Sequence, residues 1–436
     1  MKKYDKYKNS KTLFIGKIPI SWDITKLKWL LKDSLKYGAN EAADQENKKD
    51  PRYIRITDFG KDGNLKNNTF KSLPNKLAQE YLLENGDILF ARSGATVGKT
   101  FQFKNYTGKA CYAGYLIKAS PNPNKLNTDF LYFYTKSGCY ESWKNSIFIQ
   151  ATIQNIGADK YSTLPIPLPP LKEQTQIANF LDEKTAEIDE AIALKNQLIA
   201  LLQEEKSALI NEAVTKGIDP TVPMKDSGIE WIGDIPAHWE IIQMKYLGFI
   251  KYGLGQPPKQ LEGGLPIIRA TNVSRGIISE KNMMYVDPND LPYERDPILQ
   301  KNDIIVVRSG AYTADSAIIP KKYTGAVTGY DMVFRATKIF PQFIAYGLLS
   351  NYILFNQLYM HRMRAAQPHL NAEELGATLV LSPPKKEQIQ IAQYIDKKTQ
   401  EIDQEIDYTK EEIALLKEYR QSLISEAVTG KIDVRK

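Results

Sequence analysis

Two copies of one short run, Arg92-Ser93-Gly94 and Arg308-Ser309-Gly310, each close a hydrophobic stretch with residue types suited to reading DNA. A guanidinium carries a fork of donors that matches guanine O6 and N7, a serine hydroxyl reaches bases or phosphates, and glycine admits close backbone approach. The plain alternative is a structural turn with an outward salt bridge. Thr57-Asp58 and Thr271-Asn272 mark a second pair of strand ends within reach of base edges, and Gln154-Asn155 and Gln367 with His369 lie in polar loops whose amides suit adenine. Lys36-Tyr37-Gly38 and Lys251-Tyr252-Gly253 offer phosphate contacts and stacking, or equally packing. The candidate DNA contacts are thus Arg92, Ser93, Arg308, Ser309, Thr57, Asn272, Gln154, Gln367, Lys36 and Lys251.

Catalytic chemistry fits the sequence less well. Gly94-Ala95-Thr96-Val97-Gly98-Lys99-Thr100 resembles a phosphate-binding loop with one residue too few between its glycines, Ser93 stands where the first glycine belongs, and Phe101-Gln102-Phe103 reads as extended rather than helical. No glycine cluster follows a clear strand to hold a methyl-donor cofactor, and the Pro-Pro pairs are followed by Leu171 and Lys385 as helix starts. Asp182-Glu183-Lys184 superficially resembles a nuclease carboxylate cluster but falls on a long helix, where such charges are ordinarily solvated. His238, His361 and His369 lack metal-ligand spacing and a nucleophile partner. The expectation is no catalytic residue, no metal and no cofactor bound by this chain.

The elements that position these residues repeat. Ile15-Gly16-Lys17-Ile18-Pro19 returns as Ile232-Gly233-Asp234-Ile235-Pro236, with Trp22 matched by Trp239. Gly86-Asp87-Ile88-Leu89 through Ala95 returns as Asn302-Asp303-Ile304-Ile305 through Ala311; Pro169-Pro170 through Asp189 returns from Pro383-Pro384 through Asp403; and Glu212-Ala213-Val214-Thr215 returns as Glu426-Ala427-Val428-Thr429. The offsets drift only slightly, as loop-length changes require. Each half reads as one globular unit followed by one helix.

Those helices begin after Pro170 and Pro384 and stop at Gly217 and Gly430. Leu181, Ile188, Leu202 and Leu209 recur by sevens or multiples of seven in the first, and Ile395, Ile402, Leu416 and Leu423 in the second, which is a coiled-coil seam. Lys195 with Thr409, and Lys206 with Arg420, interrupt both rows at equivalent places. A helix of about 45 residues spans on the order of 65 Å, whereas the connector from Gly217 to Ile229 reaches at most about 43 Å, so the pair is expected to run antiparallel. The two globular units then lie at opposite ends with approximate two-fold symmetry.

Short β-rich runs, Tyr53 to Thr57, Asp87 to Ala91, Ile267 to Ala270 and Asp303 to Val307, alternate with helical stretches at Asn127 to Ser146 and Phe343 to Met360. The predicted class is α+β. It comprises two pseudo-two-fold-related recognition domains (1–168 and 230–382) separated by two long helices (169–217 and 383–436) that form an antiparallel coiled coil, with a linker at 218–229.

Composition agrees with a folded chain throughout: 436 residues, 42% hydrophobic and 25% charged. A net charge of +7 leans toward a polyanion. No apolar run approaches the ~18 residues of a membrane span, no secretory leader follows Met1, and Cys111 and Cys139 form no disulfide framework, so a cytoplasmic location is expected.

At these anchors the sequence resembles the specificity subunits of type I restriction-modification systems. The residues that carry the resemblance are Met224 through Pro236 with Trp239, Gly86 through Leu89 with Arg92-Ser93-Gly94, and the twice-used Pro-Pro-x-x-Glu-Gln at Pro169 to Gln174 and Pro383 to Gln388. The first copy departs from the entry motif at Lys8 to Phe14. The resemblance implies a subunit without an active site that binds double-stranded DNA and reads a split target, its half-sites about 10 bp apart. It also implies two modification subunits that methylate adenine with S-adenosylmethionine, restriction subunits that use ATP and Mg, and no membrane.

Overall fold

Apolar runs bounded by turn residues build the same four-stranded sheet twice. The first joins β1 (Lys36–Tyr37), β2 (Ile88–Ala91), β3 (Thr100–Gln102) and β4 (Leu116–Ala119) in the order β1-β4-β2-β3, antiparallel throughout. The second joins β5 (Gly248–Tyr252), β6 (Ile304–Val306), β7 (Ser316–Ile318) and β8 (Met332–Ala336) in the matching order β5-β8-β6-β7. The computed structural model describes residues 2–42, 44–60, 63, 65–149, 155–362 and 368–435.

The central strands read as unbroken apolar runs because both of their faces are covered. Alternate side chains point to opposite faces of a strand. Ile88 and Phe90 accordingly join a core with helical residues such as Phe130 and Tyr134, while Leu89 and Ala91 join a second cluster with Phe101 and Tyr112. Ile304 and Val306 divide from Ile305 and Val307 in the same way. The repeated aspartate before each strand caps the turn that launches it: Asp87 accepts from the Glu84 amide at 2.8 Å and Asp303 from the Gln300 amide at 2.9 Å. The residue before each aspartate has a positive φ, supplied by Gly86 in one copy and Asn302 in the other.

Several sequence-based elements are shorter than expected. Tyr53 to Thr57 is a strand only over Arg52–Ile54, followed by a 3-10 turn at Ile56–Asp58. Asn127 to Ser146 is two helices, Thr128–Tyr134 and Gly138–Ile149, and Phe343 to Met360 breaks at Ser350, whose hydroxyl turns back to the Gly347 carbonyl.

The two long helices are α1 (Leu171–Lys216) and α2 (Lys385–Val428). Gln174 and Gln388 donate back to the Pro169 and Pro383 carbonyls at 2.9 and 2.7 Å, closing both starts. Glu173 and Glu387 accept from the indoles of Trp22 and Trp239 at 3.0 Å, which fastens each start to its own unit. Gly217 and Gly430, at φ +77° and +67°, end the helices.

The compact units do not follow the sequence boundaries. One comprises Met1–Lys195 with Lys410–Lys436, the other Asn196–Thr409, so each contains part of both long helices. Within the first unit Arg420 is paired with Asp189 at 2.9 Å and Lys195 with Glu412 at 2.6 Å; within the second, Lys206 is paired with Asp403 at 2.7 Å. Numbers that rise along α1 against falling numbers along α2 are the mark of antiparallel pairing. Three of the four interruptions in the apolar rows are thus cross-helix ion pairs, while the fourth, Thr409, is buried and bonds its own helix at the Glu405 carbonyl.

Leu181, Ile188, Leu202, Ile395, Ile402 and Leu423 are buried as the seam requires, but Leu209 and Leu416 are only half-buried. Beyond Lys206 the buried row moves to Ile210, Ala213 and Val214, and α2 repeats the move at Ile424, Ala427 and Val428. An α-helix drifts against a strict seven-residue repeat, and here the drift brings a neighbouring face onto the globular core.

The expected linker is part of the fold. Its Met224–Asp226 pairs with Asp234–Pro236, as Tyr7–Asn9 pairs with Lys17–Pro19 in the first unit. Among the described residues no helix is long and apolar enough to cross a membrane.

Candidate nucleic-acid interface

The site begins with a glycine that tolerates no side chain. A Cβ on Gly38 would stand 2.3 Å from the Tyr112 carbonyl oxygen, and one on Gly253 would stand 2.0 Å from that of Gly329. This close approach sets the neighbouring tyrosine at the sheet corner, where its hydroxyl accepts a backbone N–H at 2.9 Å: Tyr37 from Ala158, Tyr252 from Ala372.

Onto that tyrosine each unit lays the arginine that follows its central strand. Arg92 lies 4.9 Å over the Tyr37 ring. Arg308 is sandwiched between Tyr252 at 4.5 Å and Tyr330 at 4.3 Å. Stacking on a ring face orients a guanidinium without consuming its in-plane donors. Arg92 also makes a long 3.5 Å contact with the Gly114 carbonyl, and an Nη of Arg308 lies 3.3 Å from Nε2 of His369. Among the described residues neither arginine forms an ion pair, so the salt-bridged turn weighed from the sequence is not what is found.

The polar loop before each long helix joins this corner through the main chain. Ser93 bridges to Asn155 and Ser309 to His369, the Ile156 amide donates to the Arg92 carbonyl at 2.8 Å, and the Leu370 amide donates to that of Arg308 at 2.7 Å. Both serines are half-exposed. Arg92 with Ser93, and Arg308 with Ser309, therefore converge with Asn155 and His369. Gln154 and Gln367 lie outside the described residues.

Two sequence-based contacts are corrected. Asn272 is 1% exposed, and its amide serves the turn around it, accepting from the Arg269 amide and donating to the carbonyls of Ser279 and Lys281; nothing is left for a base. Its counterpart Asp58 is likewise buried and paired with Arg55 at 2.8 Å. Lys251 is taken up by Asp296, at 2.5 Å from both the carboxylate and the main-chain carbonyl, which withdraws it as a free phosphate ligand. Lys36, by contrast, is exposed, as are Thr57 and Thr271.

The sequence reading missed Tyr115 and Tyr330. Both follow a glycine that receives the sheet corner, Gly114 and Gly329, and this repeated Gly-Tyr pair was an available signal. The next residue differs: Leu116 is core in the first unit, whereas Asp331 in the second is buried behind Arg308 and accepts its amide at 3.2 Å. Burial pushes the Asp331 carboxyl up to about 6, against the opposing pull of the Arg308 and Ala270 amides. Beside it opens a cleft of about 410 Å³, lined among others by Leu254, Gln256, Thr271, Ser309, Tyr330 and Asp331.

The segment that resembled a phosphate loop makes one 3-10 turn at Gly94–Thr96 and leads into β3 rather than a helix. Lys184, beside Asp182 and Glu183, is paired with Glu187 on the α1 surface. No cluster of potential metal ligands occurs among the described residues.

Comparison with known proteins matches residues 19–204 and 239–415 to the family described as type I restriction modification DNA specificity domain. The type I restriction enzyme MjaVIII specificity subunit of Methanocaldococcus jannaschii is 24% identical over 99% of this chain and 97% of its own length. The EcoKI specificity subunit of Escherichia coli is 23% identical over 71% of this chain and 67% of its own. Among solved structures, a chain from work on complex assembly and conformational transition of the type I R-M system aligns with a TM-score of 0.73 at 15% identity, covering 94% of this chain and 98% of that one. The HsdS subunit from Thermoanaerobacter tengcongensis aligns at 0.58 with 14% identity, covering 95% and 98%. These two likenesses concern the fold.

Proposed function

This chain belongs to the family of type I restriction-modification specificity subunits, the non-catalytic DNA-recognition components of their systems, and we propose that each of its two units reads one half of a bipartite DNA target. The observation that carries this reading is the arginine stacked on tyrosine beside a half-exposed serine, present in both units and free of ion pairs among the described residues. Such a fork is presented for base edges, with Lys36 and other exposed cations supplying sequence-independent attraction to phosphates.

The paired long helices then dock two modification subunits, which methylate adenine in each half-site with S-adenosylmethionine; ATP- and Mg-dependent restriction subunits join for cleavage. This chain itself binds none of these cofactors and works in the cytoplasm. Sequencing adenine methylation in DNA from cells that express the chain with its modification subunit tests the reading. The expected result is a split motif that changes in one half when one globular unit is exchanged. An assembled complex that leaves no methylation motif would overturn it.

A further inference from the structure

We propose that the cleft beside Arg308 receives one whole nucleobase of the half-site read by the second unit, unstacked from the duplex and laid against Tyr330. The proposal rests on the DNA reading above and adds a ligand to it. At about 410 Å³ the cleft falls in the size range of small-molecule sites, roughly 300–1,000 Å³. A paired base offers only its edge to a groove and would leave such a space largely to water.

The lining has the two characters that a free base needs. Leu254, Pro257, Ile267 and Ala270 provide apolar walls, and the Tyr330 ring, 47% exposed and backed by a cation at 4.3 Å, provides a stacking platform. Gln256, Thr271 and Ser309 add hydrogen-bonding groups for the edge that unpairing exposes. Arg269, also in the wall, has a buried Nε without a partner. In the first unit Ala39 and Leu116, both core residues, take the places of Leu254 and Asp331, so the subsite belongs to the second half alone.

Extruding a base costs less when it is mispaired, which makes the idea measurable. The full chain, assembled with its modification subunits and without methyl donor, is titrated with duplexes of the split target. In these duplexes only the base opposite each position of the second half-site is changed in turn. At one position other than the adenine that the modification subunit methylates, the mismatch is expected to tighten binding by about tenfold. That gain should be lost in Tyr330→Ala and retained in Tyr330→Phe. Ala270→Leu, which fills the cleft from its wall, should also lose it and serves if Tyr330→Ala misfolds. A complex that binds the matched target but gains from no mismatch outside the methylated adenine overturns the proposal, as does a gain there indifferent to both cleft variants. Failure of the unaltered complex to bind the matched target at all refutes the DNA reading itself, a separate outcome.

Discussion

The two units hang the same corner on the same sheet and finish it differently. In the first, Arg92 stacks on one tyrosine and the core residue Leu116 stands at the place of Asp331; in the second, Arg308 is held between two tyrosines, beside His369 and in front of a buried carboxyl. The parts that repeat are those with no geometric freedom: the glycine without room for a Cβ, the aspartate that caps the strand, the tryptophan on the helix start. The parts that differ surround the arginine, from Asn155 or His369 beside the serine to the buried Leu116 or Asp331. A pair of readers for different half-sites needs that division, because the scaffold must place a reader in a fixed position while its surroundings decide what it reads.

The largest expected effects come from breaking what the units share. Leu202→Asp puts a charge into the seam of the second unit, and Ile188→Asp does so in the first. Each should cost roughly 3–5 kcal/mol, as a buried unpaired charge does, and lower the thermal transition of its own unit, read by calorimetry. Equal loss in both units from either change would show that they do not unfold separately.

Arg308→Ala and Arg92→Ala compare the two corners directly. Each should weaken binding of the specific target by about 1–3 kcal/mol and relax preference in one half-site only, measured by titration against single-base variants. Loss of preference in both halves from one change would contradict the division of labour.

Asp331 sharpens the contrast through pH. Its carboxyl titrates near 6 in the fold, above its ordinary value of 3.8, so the folded unit holds the proton more tightly. Its contribution to stability is full below about pH 4 and is lost as pH rises through about 6, on the order of 3 kcal/mol. Asp331→Asn should flatten this dependence in melting curves of the second unit between those limits. Leu116 gives the first unit no such group at this place.

The smallest effect concerns two lysines at one repeat position. Lys36→Ala should reduce the salt dependence of DNA binding by about one unit of slope, whereas Lys251→Ala should leave the slope unchanged because Asp296 already neutralises that cation. Equal slopes for the two variants would remove the distinction.

Much of this was legible in the sequence because repetition and periodicity are local signals. The alternation of a globular unit and a long helix, the central strands after Asp87 and Asp303, the ends of α1 and α2 at proline and glycine, and the seam from Leu181 to Leu202 follow from spacing alone. The shift of the buried row to Ile210 and Ile424 did not, since it depends on the core that each helix end meets. Arg92 and Arg308 stood out by repetition, and Tyr115 and Tyr330 could have been found the same way. Asn272 and Lys251 misled because a polar residue has the same letter whether it faces solvent, serves its own turn as Asn272 does, or pairs with a distant carboxylate as Lys251 does.

The residue string by itself thus determined that there are two units, that a long helix follows each, where the central strand of each sheet lies and which side chains recur at their corners. These follow from backbone propensity, apolar period and internal comparison, all within reach of neighbouring residues. Only the tertiary structure decided which of those side chains retain uncommitted donors. That depends on partners distant along the chain, such as Asp296 for Lys251 and Tyr330 for Arg308, and no local pattern encodes which distant group will be near enough to consume or orient a charge.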